Sequence, residues 1–354
     1  MAGWHRSHGK TEDALALLEK SRDTFRKLGG AARPDPTVLA WLANVHHDLA
    51  LLHLARREPS MEDFWAAAAL REQLVCVFPR NVGYQRDLAE TYRHLGGYRT
   101  VDKKWDEAFA LLERQHTLLE GLLRFDPGSR LTRSELAASY RQIGHLHRDK
   151  GDTAKALKCY EEAVDLNEEL LRQDPSVTAY QNDLAKSYYD LSTAYGRQKR
   201  FDKAREVLLQ SLSLRRKIVE GNPDHLGYRA DLAYSLGNLG QALCGLDDHR
   251  EGLKYLMEAQ AERRRLVDQA PSLRSYRELL ARSCSEVLKV QHRLGEWDKA
   301  LATCLVLRDA LPTSGPDLAN AACAMGRTAN LVKGKKARDD LRRRLLDEAM
   351  ATLD

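Results

Sequence analysis

Cysteine is sparse and unpaired in this chain: Cys76, Cys159, Cys244, Cys284, Cys304 and Cys323 stand apart, with no CxxC among them. In a chain of 354 residues that spacing offers no disulfide framework and favours a reducing compartment. Long apolar runs are missing as well. The strongest, 64–70 and 301–307, are far short of the ~20 residues a membrane helix needs. The first ten residues are polar and His-rich, unlike a signal peptide. A chain-wide basic face for nucleic acid is absent too. Residues 333–344 hold seven basic and two acidic groups, so this segment alone carries the net +5 and the rest is neutral. With 43% hydrophobic and 30% charged residues, the composition is that of a folded chain.

The short motifs that carry chemistry are also incomplete. Gly9-Lys10-Thr11 has its nearest upstream glycine, Gly3, five intervening residues away rather than four, and no strand precedes it. His147-Arg148-Asp149 imitates a kinase catalytic loop, but Ala154 stands where asparagine is needed. No glycine-rich loop or DFG accompanies it, and the segment reads as a helix-hairpin turn. His46, His47 and His53 share one helix without an HExxH pattern, so they are expected as core or surface histidines. Neither an enzyme, a cofactor nor a metal site is expected.

What the chain does have is a period. Pro79, Pro127, Pro175, Pro223 and Pro271 are each 48 residues apart, five of only ten prolines. In the same register run Leu88, Leu136, Leu184, Leu232 and Leu280, each followed by an alanine. Three residues after that alanine come Tyr92, Tyr140, Tyr188, Leu236 and Cys284, and a small column runs Ala108, Ala156, Ala204, Gly252 and Ala300. Within one repeat the apolar positions Leu136, Tyr140, Ile143, then Ala156, Tyr160, Ala163, Leu166 and Leu170 are three or four apart, the face of a helix. Gly151 and Gly295 are placed to end the first helix in a left-handed conformation. Lys103, Lys199 and Asp247 replace them elsewhere, so this stop is expected to vary. The proline ends the second helix. Each unit is a helical hairpin, closely packed where Gly144 and Ala156 keep side chains short.

The residues Tyr140, Ile143-Gly144, His147, Gly151, Ala156, Tyr160 and Ala163 resemble the tetratricopeptide repeat, as do Tyr188, Leu191-Ser192, Tyr195, Ala204, Leu208 and Ser211. The usual unit has about 34 residues. The fourteen added here are about four helical turns, two per helix, which implies walls of about 30 Å. The segments DPSVTAYQNDLAKSYYDLS and GDTAKALKCYEEAVDLNEELL resemble the repeat arrays behind the kinase domain of large planctomycete Ser/Thr protein kinases. That likeness spans residues 79–312. The resemblance implies an all-α fold, a right-handed α-solenoid of antiparallel helix hairpins forming a superhelix.

The organisation expected is a partial repeat at 1–36 (an orphan second helix), a degenerate repeat at 37–79, five helix pairs over 80–312, and truncated C-terminal helices over 313–354. Neither end carries a distinctly polar cap, so the chain is expected to be a fragment of a larger protein. Residues 333–344, with Leu341, Leu345 and Leu346, read as an ordinary amphipathic helix.

In the repeat family first helices line the concave face, where peptides dock. The resemblance places Arg93, Arg141, Gln142, His145, Lys186, Tyr189, Asn238 and Gln241 there. Arg93, Gln142 and Lys186 partly match the type that grips a C-terminal carboxylate, although Gly97 replaces the expected asparagine and Asp190 a second cation. The function expected is a non-catalytic scaffold for a protein or peptide partner. The alternative is the recruiting arm of a Ser/Thr kinase whose catalytic domain is absent from this chain. No nucleic-acid partner is expected. A cytoplasmic location is expected, with an extracytoplasmic arm of a membrane-tethered parent as the alternative.

Overall fold

The computed structural model describes residues 11–29, 35–56, 61–310, 315–332 and 336–353. Gly9-Lys10 and Lys333 to Lys335 of the basic run lie outside them. Helices follow one another as α1 Thr11–Gly29, α2 Pro36–Ala55, α3 Met61–Val77, α4 Val82–Val101, α5 Trp105–Phe125, α6 Arg130–Asp149, α7 Thr153–Gln173, α8 Thr178–Arg197, α9 Phe201–Gly221, α10 Leu226–Gly245, α11 His249–Gln269, α12 Arg274–Leu294, α13 Trp297–Ala310, α14 Gly315–Leu331 and α15 Lys336–Leu353. No strand occurs among the described residues. The fold is all-α, and within each of the two units below, helices pack mainly on their neighbours in sequence. The chain falls into two compact units, Met1–Leu170 and Leu171–Asp354.

Three-residue turns join α4 to α5, α6 to α7, α8 to α9 and α10 to α11, and they share one geometry. Residues 103, 151, 199, 247 and 295 all have positive φ: 58° at Lys103 and Lys199, 62° at Asp247, 87° at Gly151 and 71° at Gly295. The next residue's N–H then donates back to the carbonyl five positions earlier. These bonds are Lys104 to Arg99 (2.8 Å), Asp152 to His147 (2.8 Å), Arg200 to Tyr195 (2.9 Å), Asp248 to Leu243 (3.0 Å) and Glu296 to Gln291 (2.9 Å). This is the closing bond of a Schellman stop. The expectation that the stop varies is therefore corrected: the conformation is uniform, and only the residue adopting it changes. A lysine or aspartate held there carries a steric cost of about 1–2 kcal/mol that glycine avoids. His147, Arg148 and Asp149 form the last turn of α6 rather than the turn itself.

The far ends of the hairpins are fixed by proline. α3, α5, α7, α9 and α11 each stop two residues before Pro79, Pro127, Pro175, Pro223 or Pro271. Asp126, Asn222 and Ala270 sit at φ of −129°, −141° and −138°, the extended region that a following proline imposes. The proline carbonyl is then satisfied by the side chain six residues on. Arg133 donates to Pro127 (2.6 Å), Gln181 to Pro175 (2.8 Å) and Arg229 to Pro223 (2.6 Å), and Gln85 does the same to Pro79.

Between these stops the first helices α4, α6, α8 and α10 have 20 residues and the second helices α5, α7, α9 and α11 have 21, about 30 Å each. The repeating columns form the core. Leu88, Leu136, Leu184, Leu232 and Leu280 are buried, as are Ala108, Ala156, Ala204, Gly252 and Ala300. Where the helices cross, side chains are missing. A Cβ on Gly96 would meet Leu112 at 2.7 Å and one on Gly144 would meet Tyr160 at 2.5 Å, the pairing of an antiparallel hairpin. In the second unit Cys284 and Cys304 pack with Leu280, Met325, Leu341 and Leu345. Arg342, Arg343, Arg344 and Leu346 face solvent on α15, so Leu346 does not join the apolar face read for it.

Candidate functional site

The eight expected docking residues fall on four first helices. In the first unit, Arg93 lies on α4 and Arg141, Gln142 and His145 on α6. Arg93 pairs with Glu90 at 3.7 Å and donates to His94 Nε2 at 2.9 Å. It lines a cavity of about 390 Å³ with Arg86, Asp87, Glu90, Gln115 and Glu135. Arg86 in that wall is held by Glu135 at 3.3 Å and Thr132 Oγ1 at 3.1 Å. Burial raises the Glu135 carboxyl above its ordinary pKa against the opposing pull of Arg86. Arg141, Gln142 and His145 do not line this cavity. The Gln142 Oε1 is buried without a hydrogen-bond partner, and the His145 ring lies 5.6 Å from that of Tyr160.

In the second unit the structure brings three of the residues together. Tyr189 on α8 and Asn238 and Gln241 on α10 line one cavity of about 400 Å³, whose floor is Phe201, Ala204 and Leu208 of α9. The small column of the repeat makes that floor: Ala204 keeps α9 close beneath the two first helices. Burial raises the Tyr189 phenol above its ordinary pKa, while Arg215 and a hydrogen bond with Asn238 act in the other direction. Lys186 is not in this wall; it pairs with Asp183 at 3.4 Å, three residues back on its own helix.

Beneath these positions runs a polar network that the apolar-face reading passed over. The Arg215 guanidinium lies 5.1 Å from the Tyr189 ring centroid, the Tyr189 and Tyr234 rings are 6.4 Å apart, and Arg263 lies 5.8 Å from Tyr234. Arg263 reaches Glu286 at 3.7 Å, and Glu286 accepts from Gln241 at 2.8 Å. Arg215 and Arg263 are almost wholly buried. Cation–π contacts of this kind gain strength once desolvated. The network meets Tyr189 and Gln241 at the cavity edge. Its signal in the sequence is a polar column at the same period: Arg215 and Arg263 are 48 residues apart, and so are Thr91, Ser139, Ser187, Ser235 and Ser283, all buried. Ser211 links two of these layers, donating to Ala185 O at 2.8 Å and lying 3.0 Å from Ser235 Oγ.

The cysteines are free. Burial pushes the Cys284 thiol up to about 11. His46 and His53 share one carboxylate, Asp63, at 2.8 and 3.6 Å, so both serve the α2–α3 packing.

This geometry, paired helices with small residues at the crossing and a period-fixed stop at each end, is that of a tetratricopeptide-like repeat protein. Residues 135–217 match the family model described as tetratricopeptide repeat. No curated protein matches the chain. Among solved structures, apo RapI is similar at TM-score 0.62 and 13% identity, over 99% of this chain and 84% of that one. BtubC (BKLC) from P. vanneervenii is similar at TM-score 0.52 and 17% identity, over 72% and 92%. The C-terminal part of a TPR repeat-containing protein from Cytophaga hutchinsonii is similar at TM-score 0.50 and 16% identity, over 90% and 96%. At such identities the likeness is one of fold. No described helix is long and apolar enough to cross a membrane.

Proposed function

We propose that this protein is a non-catalytic scaffold that docks a protein or peptide partner on its first helices. The observation that carries this reading is the wall formed by Tyr189, Asn238 and Gln241 over a floor of α9. A tyrosine packed on buried partners is a group that supplies binding energy at interfaces, since little side-chain entropy is lost when it is covered. The cavity offers an amide pair, a phenol and the apolar side chains Phe201, Ala204 and Leu208. Those groups suit an extended peptide whose main chain needs hydrogen-bond partners. The repeat fold supports the same reading, because tetratricopeptide repeats commonly mediate protein–protein contacts.

The test is site-specific photo-crosslinking in the native host. Benzoylphenylalanine placed at Gln241 should trap one recurrent partner, whereas the same probe at Glu206, an exposed position on α9, should not. Equal trapping from both positions would refute docking on the first helices.

A second reading rests on the resemblance of residues 79–312 to the arrays of planctomycete Ser/Thr kinases. On that reading the chain recruits substrates for a kinase domain, and an in-frame kinase domain upstream in the gene would support it. A gene without one would refute it. We place the protein in the cytoplasm on the unpaired cysteines.

A further inference from the structure

In the first unit, His47 of α2 and Glu90 and His94 of α4 converge so that one ligand atom from each lies within 4.8 Å of the others. We infer that these three residues form a binding site for a divalent transition metal of the kind that accepts imidazole nitrogen, with zinc as the reference ion. Glu90 and His94 are four residues apart and share one face of α4, while His47 arrives from another helix. A reading along α2 alone, through His46, His47 and His53, cannot find this set.

The second observation is an unused atom. His47 is 5% exposed, and its Nε2 is buried with no hydrogen-bond partner. While Nδ1 accepts from Arg71, Nε2 carries the ring proton and is a buried, unpaired N–H, which is costly; the other tautomer turns it into a lone pair that a metal can take. The rings are also held in place. Phe64 stacks on His94 with centroids 5.3 Å apart and an interplanar angle of 14°, and meets His47 edge-on at 5.4 Å. Two imidazoles and a carboxylate are a ligand set that zinc uses in three-ligand sites, with a fourth position left for water.

Two arginines compete with the metal. Arg71 Nη1 lies 3.2 Å from His47 Nδ1, but its two hydrogens also have Asp87 O at 2.8 Å and Thr91 Oγ1 in reach. His47 Nδ1 is the partner that Arg71 can give up. It must, because a ring bound to metal through Nε2 carries its proton on Nδ1, and that N–H then faces the buried Arg71 guanidinium, a repulsion the metal has to offset. Arg93 donates to His94 Nε2 at 2.9 Å and neighbours Glu90 at 3.7 Å. Its side chain is 38% exposed, so it can swing into solvent and release both ligands. Arg93 is therefore an obstacle to the metal, and its loss should strengthen binding.

The test uses the full chain, stripped with a chelator and titrated with zinc by calorimetry and with cobalt by visible absorption. A single tight equivalent is expected, with the intense d–d band of tetrahedral cobalt and a rise in melting temperature. Glu90→Gln and His94→Ala should each weaken binding about tenfold or more, and Arg93→Gln should tighten it. Both ligand variants change half-buried or exposed side chains, and circular dichroism of the metal-free forms checks that they fold. No uptake by the wild-type chain would overturn the site. So would uptake that Glu90→Gln and His94→Ala leave unchanged, which would assign the metal to other residues such as His5 and His8. Weaker binding by Arg93→Gln would overturn the competition.

Discussion

Gly240 and Gly252 face each other across α10 and α11 with no room for a side chain on either. A Cβ on Gly240 would lie 2.8 Å from the Gly252 carbonyl oxygen, and a Cβ on Gly252 would lie 2.8 Å from that of Gly240. Backbone meets backbone here, so neither side can relax alone. Gly240→Ala should destabilise the protein by about 1–3 kcal/mol through overpacking. At the matching position of the first unit, a Cβ on Gly96 meets the Leu112 side chain at 2.7 Å, with the nearest backbone atom, Ala108 O, at 3.5 Å. Leu112 is a side chain rather than backbone, and alanine gains about 1 kcal/mol over glycine inside a helix. Gly96→Ala should therefore cost less than Gly240→Ala, which meets Leu256 at the same 2.7 Å and the Gly252 carbonyl besides. Urea denaturation of the pair measures the difference; equal losses would show that backbone approach is not the cause.

The left-handed stop gives a prediction of opposite sign. Lys199 and Asp247 hold φ of 58° and 62° with no relief from a glycine. Lys199→Gly and Asp247→Gly should each stabilise by about 0.5–1 kcal/mol, the steric gain being partly offset by the freer unfolded chain. Lower denaturation midpoints in both variants would contradict the stop as described.

Arg229 and Glu262 form an ion pair of 2.6 Å in which each side chain is only 10% exposed. Glu262 also accepts from Arg265 at 2.6 Å. Removing the carboxylate leaves a buried guanidinium without its charge partner. Glu262→Ala should therefore cost about 3–5 kcal/mol, read as a lower unfolding midpoint. A loss within about 0.5 kcal/mol, as for an ordinary surface change, would show that Pro223 O alone satisfies Arg229.

The six thiols should separate by reactivity. Cys76 and Cys323 are exposed, Cys284 and Cys304 are buried, and Cys159 and Cys244 lie between. Burial raises the pKa of the inner four, to about 11 for Cys159 and Cys284, and withholds the reactive thiolate. With Ellman's reagent at neutral pH, two thiols should react quickly and four only on unfolding. Fast reaction of more than two would mean that the inner helices open easily.

The register of this fold was legible because packing repeats a residue type. Leu88 and its counterparts sit at the same buried spot in each hairpin, and the prolines close each one. The stop was misread because it is set by backbone conformation, which Lys103 shares with Gly151 although their side chains have nothing in common. The carbonyl caps escaped notice for a similar reason, since Gln85, Arg133, Gln181 and Arg229 perform one task with two chemistries. Of the site, the first-helix positions could be named, but their grouping could not. That Tyr189, Asn238 and Gln241 share a wall while Lys186 turns to Asp183 depends on side-chain direction. The buried arginines beneath were invisible to a search for apolar faces.

The docking role of α8 and α10 is tested most directly by titrating the crosslinked partner against the wild-type chain and an Asn238→Ala, Gln241→Ala double variant. The wall formed with Tyr189 predicts a loss of about tenfold or more in affinity, about 1.4 kcal/mol, with circular dichroism showing the variant folded. Equal affinity of the two proteins for that partner would contradict it.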